Sequence, residues 1–199
     1  MNFRWSGAVQ TTCDFCHSIL VRTGMDLKKV GQVADLPQDA SPIQIGTEGQ
    51  FQSRSFVVVG RIIYEYEQGA WNEWHVIYAD GKSGWLADAQ LEYDVSFATQ
   101  PPAPLPSVND IARDTTFHWE NRDYIVTSIT RAHYKGVEGE LPFEYWDKQD
   151  MIFADLRTGT GEFATIDYSE DPPLLFMGQP AEFDDLHFKN VRLFEGWAA

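Results

Sequence analysis

The chain has 199 residues, 43% of them hydrophobic and 14% aromatic, enough apolar side chain to bury a core without disulfide or metal staples. Its 15 Lys and Arg stand against 30 Asp and Glu, a formal charge of −15, which argues against a nucleic-acid partner because phosphate binding works through a local surplus of basic groups. No run approaches the roughly 20 apolar residues that span a bilayer, and the opening Met1 to Gly7 is not followed by the apolar stretch of a secretion signal. The expectation is therefore a cytoplasmic protein without membrane insertion.

In chain order, residues 1–24 carry Thr11-Thr12-Cys13-Asp14-Phe15-Cys16-His17, the spacing of one knuckle of a zinc ribbon. These are the only two cysteines, and in a reducing compartment they are expected as thiols or metal ligands rather than a disulfide. Zinc takes four ligands in a tetrahedron, and one C-x-x-C supplies a single edge of it. His17 is a poor third ligand, since adjacent residues of an extended knuckle point apart. No zinc is expected in this chain alone; a dimer in which two copies each donate Cys13 and Cys16 would close a site. The segment is expected to pack loosely. Residues 25–45 read as a polar connector with Pro37 and Pro42.

The densest β-signal fills 46–99, the first expected lobe. Phe56, Val58, Gly60, Ile62 and Tyr64 share one strand face by alternation, Trp71 to Tyr78 continue it, and Asp80-Gly81 predicts a two-residue type I′ hairpin before Gly84-Trp85-Leu86. Residues 100–107 contain Gln-Pro-Pro-Ala-Pro-Leu-Pro, read as a stiff spacer. A second lobe is expected over 108–199. There Phe117, Tyr124-Ile125-Val126 and Ile129 echo the spacing of Phe51, Phe56-Val57-Val58 and Ile62, and Thr158-Gly159-Thr160-Gly161 marks another hairpin. Phe183 to Phe194 fits a strand or a short helix. The fold class is thus mainly β: two related antiparallel β-lobes, barrel-like or sandwich-like, after a short partial zinc-ribbon segment.

Few constellations point to chemistry. Gly81-Lys82-Ser83 ends like a phosphate loop, but Val76 stands where that loop needs its first Gly. The five histidines lack metal-helix spacing, no G-x-S-x-G elbow occurs, and the paired carboxylates are what so acidic a chain contains by chance. Trp71-Asn72-Glu73-Trp74-His75 stands out. On a strand, Trp71, Glu73 and His75 share one face while Trp74 takes the other. One indole is then core and the other, with Glu73, can wall a pocket. Glu140, in Gly139-Glu140-Leu141-Pro142, reads as a loop lock or a catalytic carboxylate.

Cys13-x-x-Cys16, Ser41-Pro42-Ile43, Gly60-Arg61-Ile62, Trp71-Asn72-Glu73-Trp74, Gly84-Trp85-Leu86 and Gly139-Glu140-Leu141-Pro142, in this order and spacing, resemble a bacterial family called a domain of unknown function, number four-one-seven-eight, from Cys13 to about Phe188. The resemblance implies an adaptor without assigned activity, encoded near membrane-stress and polyamine-synthase-like genes. It also implies an upstream C-P-x-C-G knuckle that would complete a zinc site in a longer chain, since Met1 stands where that segment would just have ended. The preferred reading is a non-enzymatic adaptor that binds a protein partner, with homo-oligomerisation open. The alternative is a small-ligand binding module or enzyme built on Trp71, Glu73 and Trp85, with Trp74 and Glu140 as further candidates. A pocket gathering these side chains would favour the second reading, and a packed Trp cluster the first.

Overall fold

The structure, a computed structural model, describes residues 3–23, 26–32, 40–144 and 150–194. It opens with a small meander, β1 (Gln10–Thr12), β2 (Ser18–Thr23) and β3 (Asp26–Gln32). Five strands follow, β4 (Glu48–Phe51), β5 (Arg54–Tyr66), β6 (Gly69–Tyr78), β7 (Ser83–Ala89) and β8 (Glu92–Thr99). Beyond the proline spacer come β9 (Thr116–Trp119), β10 (Arg122–Leu141), β11 (Asp150–Arg157), β12 (Phe163–Asp167) and β13 (Leu174–Ala181). A single 3₁₀ turn, Asp184–Leu186, is the helical element among the described residues.

The fold is mainly β, and its two five-strand runs are related. β9 begins 68 residues after β4 (116 against 48) and β10 begins 68 after β5 (122 against 54). Each run is a short strand, a two-residue turn, a long strand and a hairpin meander. Each also buries its own core: Phe56, Val58, Trp74, Val76, Leu86 and Val95 in the first, and Trp119, Tyr124, Val126, Leu156 and Ile166 in the second. The two runs then join edge to edge. β5 pairs with β10 (Glu65 opposite His133) and β8 pairs with β13 (Phe97 opposite Met177), so eight antiparallel strands close into a ring in the order β5, β6, β7, β8, β13, β12, β11, β10. Closure removes the unpaired edges that an open sheet would leave to solvent.

Three local expectations are corrected. First, Phe56 to Tyr64 do not share one face, because the β5–β6 register shifts between Val58 and Gly60. That bulge sends Phe56 and Val58 into the first core and turns Ile62 and Tyr64 into the ring. Second, Asp80-Gly81 is not a two-residue turn: Tyr78 N–H donates to Lys82 O and only Gly81 has positive φ (83°), which makes a three-residue loop with glycine at its left-handed position. The loop at Gly161 (φ 98°) repeats this geometry. Among the described residues, two-residue turns with positive φ at both positions lie instead at Gln52-Ser53, Gln90-Leu91 and Glu120-Asn121. Third, the amino-terminal meander is not loosely packed. β1 pairs with the end of β10, Ala8 and Val21 are buried, and Ile19 joins Val137 and Leu141 in a third core at the ring's seam.

The expected connector is corrected in part: Asp26–Gln32 form β3, paired with β2, while Pro37 and the rest of 33–39 fall outside the described residues. Its end is fixed: Ser41 Oγ donates to Asp88 and accepts the Ile43 N–H, and Ile43 is buried in the first core. The tail expected as strand or helix forms the 3₁₀ turn and one isolated bridge, Glu48 to Lys189.

Candidate functional site

Strand alternation inside the ring creates a chamber of about 440 Å³. Residues of one parity on β6, β7 and β8 (Trp71, Glu73, Trp85, Ala87, Asp94, Ser96) face it, while the intervening Trp74, Leu86 and Val95 face the first core. The second run repeats the pattern: Phe153, Asp155, Arg157, Thr165, Asp167 and Phe176 face the chamber, and Ala154, Leu156 and Ile166 face away. Because each run buries the other face of its sheet, the inner face is free to carry polar side chains.

One wall is aromatic. Tyr64 and Trp71 stack at 4.8 Å between ring centroids, and Phe153 meets both edge-on at 5.1 and 5.8 Å. Trp85 stacks on Phe143 at 5.8 Å. Such pairs hold each other in fixed orientation. The opposite wall is acidic. Asp155 accepts the hydroxyls of Ser128 (2.7 Å) and Thr165 (2.9 Å), Asp167 accepts the Ser169 amide (2.8 Å), and Asp94 pairs with Arg157 at 3.3 Å. Arg157, the one basic side chain lining the chamber among the described residues, also lies 5.0 Å over the Phe163 ring.

Glu73 stands between these walls. Its Oε1 accepts the Trp71 indole N–H at 3.0 Å. Burial first, and then the negative charges of Asp155, Asp94 and Asp167, push its carboxyl up to about 8, against the pull of the indole hydrogen bond. A carboxyl poised near neutrality inside a cleft is a feature that functional sites share.

The remaining expected site residues lie elsewhere. Trp74 is fully buried on the far face, with the Arg61 guanidinium 4.6 Å over its ring. Arg61 is itself buried, held by Asn72 Oδ1 (3.0 and 2.6 Å) and Glu138 (3.0 Å). Glu140 is outside the chamber and serves as a lock: its two carboxylate oxygens accept the Arg4 and Trp5 backbone N–H groups at 2.6 and 2.8 Å. Its carbonyl bonds to His75 Nδ1 at 2.8 Å, and His75 Nε2 meets Ser83 Oγ at 2.7 Å. Burial presses His75 down to about 4. Here β5 and β10 approach so closely that a Cβ on Gly60 would stand 2.0 Å from the Glu140 carbonyl oxygen, so only glycine fits.

Cys13 and Cys16 flank the β1–β2 turn. Cys13 is half-buried, Cys16 and Phe15 are exposed, and His17 takes the left-handed conformation (φ 53°) while its N–H donates to Cys13 O. Cys16 Sγ lies 3.1 Å from Ser18 Oγ, and hydrogen bonds from Ser18's hydroxyl and amide hold the thiol below its ordinary value. Among the described residues no group of three or more His, Cys, Asp and Glu gathers for a metal ion.

The sequence points to Trp71, Glu73 and Trp85 but not to their partners. The missed signal lay in Asp94-Val95-Ser96, Asp155-Leu156-Arg157 and Thr165-Ile166-Asp167, where polar residues alternate with apolar ones that the core already claims. No helix among the described residues is long and apolar enough to cross a membrane.

A family model described as a domain of unknown function (DUF4178) matches residues 44–183, well over half of the chain. The match starts after the Cys13–Cys16 turn and takes in the whole ring. No curated protein and no solved structure matches.

Proposed function

We propose, for a chain that belongs to the family of domains of unknown function DUF4178, that the ring is a receptor for one small molecule. The observation that carries this reading is the chamber. It has about 440 Å³ of space, within the range of ligand pockets, and joins apolar walls to a few fixed polar groups. A barrel filled by its own side chains would need no such set of carboxyl groups along its inner face. Trp71, Glu73 and Trp85 line the chamber, which favours this reading over a packed Trp cluster; Glu140 takes no part. Ligand-observed NMR with a mixed library of anionic, neutral and cationic compounds tests it. Binders are expected for the parent and not for Ala87→Phe, which fills the chamber from β7. A library with no binders, or binders indifferent to Ala87→Phe at preserved circular dichroism, rejects the reading.

A protein partner is a second reading, supported by a different place. Phe15, 96% exposed, projects from the tip between Cys13 and Cys16, where a second copy or an adaptor's client would reach it. Two copies sharing one zinc through four thiolates would satisfy the metal's tetrahedron. Light scattering with and without equimolar zinc tests this: a zinc-dependent dimer lost in Cys16→Ser supports it, and a monomer in both conditions rejects it.

A further inference from the structure

We propose that the molecule the chamber takes is an organic ammonium ion, a protonated amine carried on an apolar body. This rests on the reading of the chamber as a ligand site and names the ligand's chemistry.

Charge is the first ground. Five carboxyl groups line the chamber (Glu73, Glu92, Asp94, Asp155, Asp167), Glu73 holding a proton that an arriving cation would displace, against the single guanidinium of Arg157, which Asp94 already engages. In a concave site with low-dielectric walls such an excess acts more strongly than on a flat surface. It repels anions and leaves a neutral guest beside uncompensated charge. The second ground is shape. Tyr64, Trp71 and Phe153 form a three-ring corner, and Glu73 sits next to it on the same strand face as Trp71. Aromatic faces attract cations through their quadrupole, Trp most of all. The third is an unfilled bond. Glu73 Oε1 takes the indole N–H, and Oε2 has no hydrogen-bond partner among the described residues. An ammonium group lodged against Oε2 would complete the carboxylate, and its hydrocarbon would lie on the aromatic wall. The high proton affinity of Glu73 agrees with a chamber short of positive charge.

Isothermal titration of the full chain at pH 7.5 with three probes of one shape decides the matter: 2-phenylethylamine, 2-phenylethanol and 3-phenylpropionate. The amine is expected to bind at least about tenfold more tightly than the alcohol, the scale of one charge-assisted hydrogen bond, and the carboxylate not measurably. Glu73→Gln keeps the side chain's shape and its acceptor for Trp71, and should bring the amine close to the alcohol. An alcohol that matches the amine overturns the ammonium assignment while leaving the chamber as a ligand site. So does an amine preference unchanged in Glu73→Gln. If none of the probes binds while the library yields chamber binders of another class, the ammonium assignment falls alone. If both experiments are blank, the receptor reading falls with it.

Discussion

Replacing Glu73 by Gln should flatten a fall in stability that the parent protein suffers between neutral and mildly alkaline pH. The Glu73 carboxyl is raised from its ordinary 4.5 to about 8. The folded protein therefore keeps a proton there that the unfolded chain has released, and the stabilisation is whole below about 4.5 and lost as pH rises through about 8. At 1.36 kcal/mol per unit the whole shift amounts to roughly 5 kcal/mol. Between about pH 6.5 and 8.5 the parent should lose roughly 2 kcal/mol of it. His75, pressed down to about 4, adds only about 0.4 kcal/mol of opposite sign at the acid edge of that window, where its unfolded imidazole is half-protonated, and it stands in both proteins, so it cancels in the difference. Asp94, Asp155, Asp167, Glu92 and Arg157 face the chamber in both proteins, so their contributions largely cancel in the difference. Urea unfolding at half-unit pH steps gives the two curves. Parent and Glu73→Gln lines that run parallel within a few tenths of a kcal/mol would falsify the reasoning, since Glu73 would then titrate like a solvated carboxylate.

Further outcomes follow from the same packing. Trp74→Ala removes a fully buried indole and leaves Arg61 without its aromatic neighbour, for a loss of about 3–5 kcal/mol readable by thermal melting; an unchanged Tm refutes the burial. Trp85→Ala, against the third core and the chamber, should cost a similar 3–5 kcal/mol and in addition weaken any chamber ligand. Glu140→Ala frees the Arg4 and Trp5 amides, so hydrogen exchange at these two positions should rise sharply while exchange in β6 and β7 stays slow; unchanged protection at Trp5 would show that the lock lies elsewhere. In the Glu73→Gln background, stability should fall as pH drops from about 6.5 toward 4, because the unfolded chain protonates His75 first, and His75→Gln should remove that slope.

Much of the first run was legible because its strands state their two faces plainly. Trp71-Asn72-Glu73-Trp74 alternates, and the structure sends Trp71 and Glu73 to the chamber and Trp74 to the core as the alternation demands. Gly161 and Gly81 announced their hairpins. What could not be read was whatever depends on pairing between distant strands. The Val58/Gly60 register shift has no local signature, and it changes which residues face inward. Three tight turns use Gln52-Ser53, Gln90-Leu91 and Glu120-Asn121, where strand pairing outweighs the preference for glycine at positive φ. The acids of β11 and β12 looked like ordinary surface charge until ring closure placed them opposite Glu73.

The offsets between the two runs make the ring a homodimer written into one chain. Glu65 faces His133, 68 residues on, the same offset that relates β4 to β9 and β5 to β10; Phe97 faces Met177, 80 on, as Gly81 is to Gly161. Each seam thus joins a strand to its own counterpart, which is how a two-fold axis pairs identical edges. In a true homodimer of single runs, a chamber on that axis would have to show its guest two identical walls, and a guest without such symmetry would fit neither orientation well. Joining the runs through the proline spacer lifts that restriction. Trp85 and Ala87 on one side have Thr165 and Asp167 as their counterparts on the other. The two halves could diverge position by position, and a molecule with two unlike ends can then be held in a single direction.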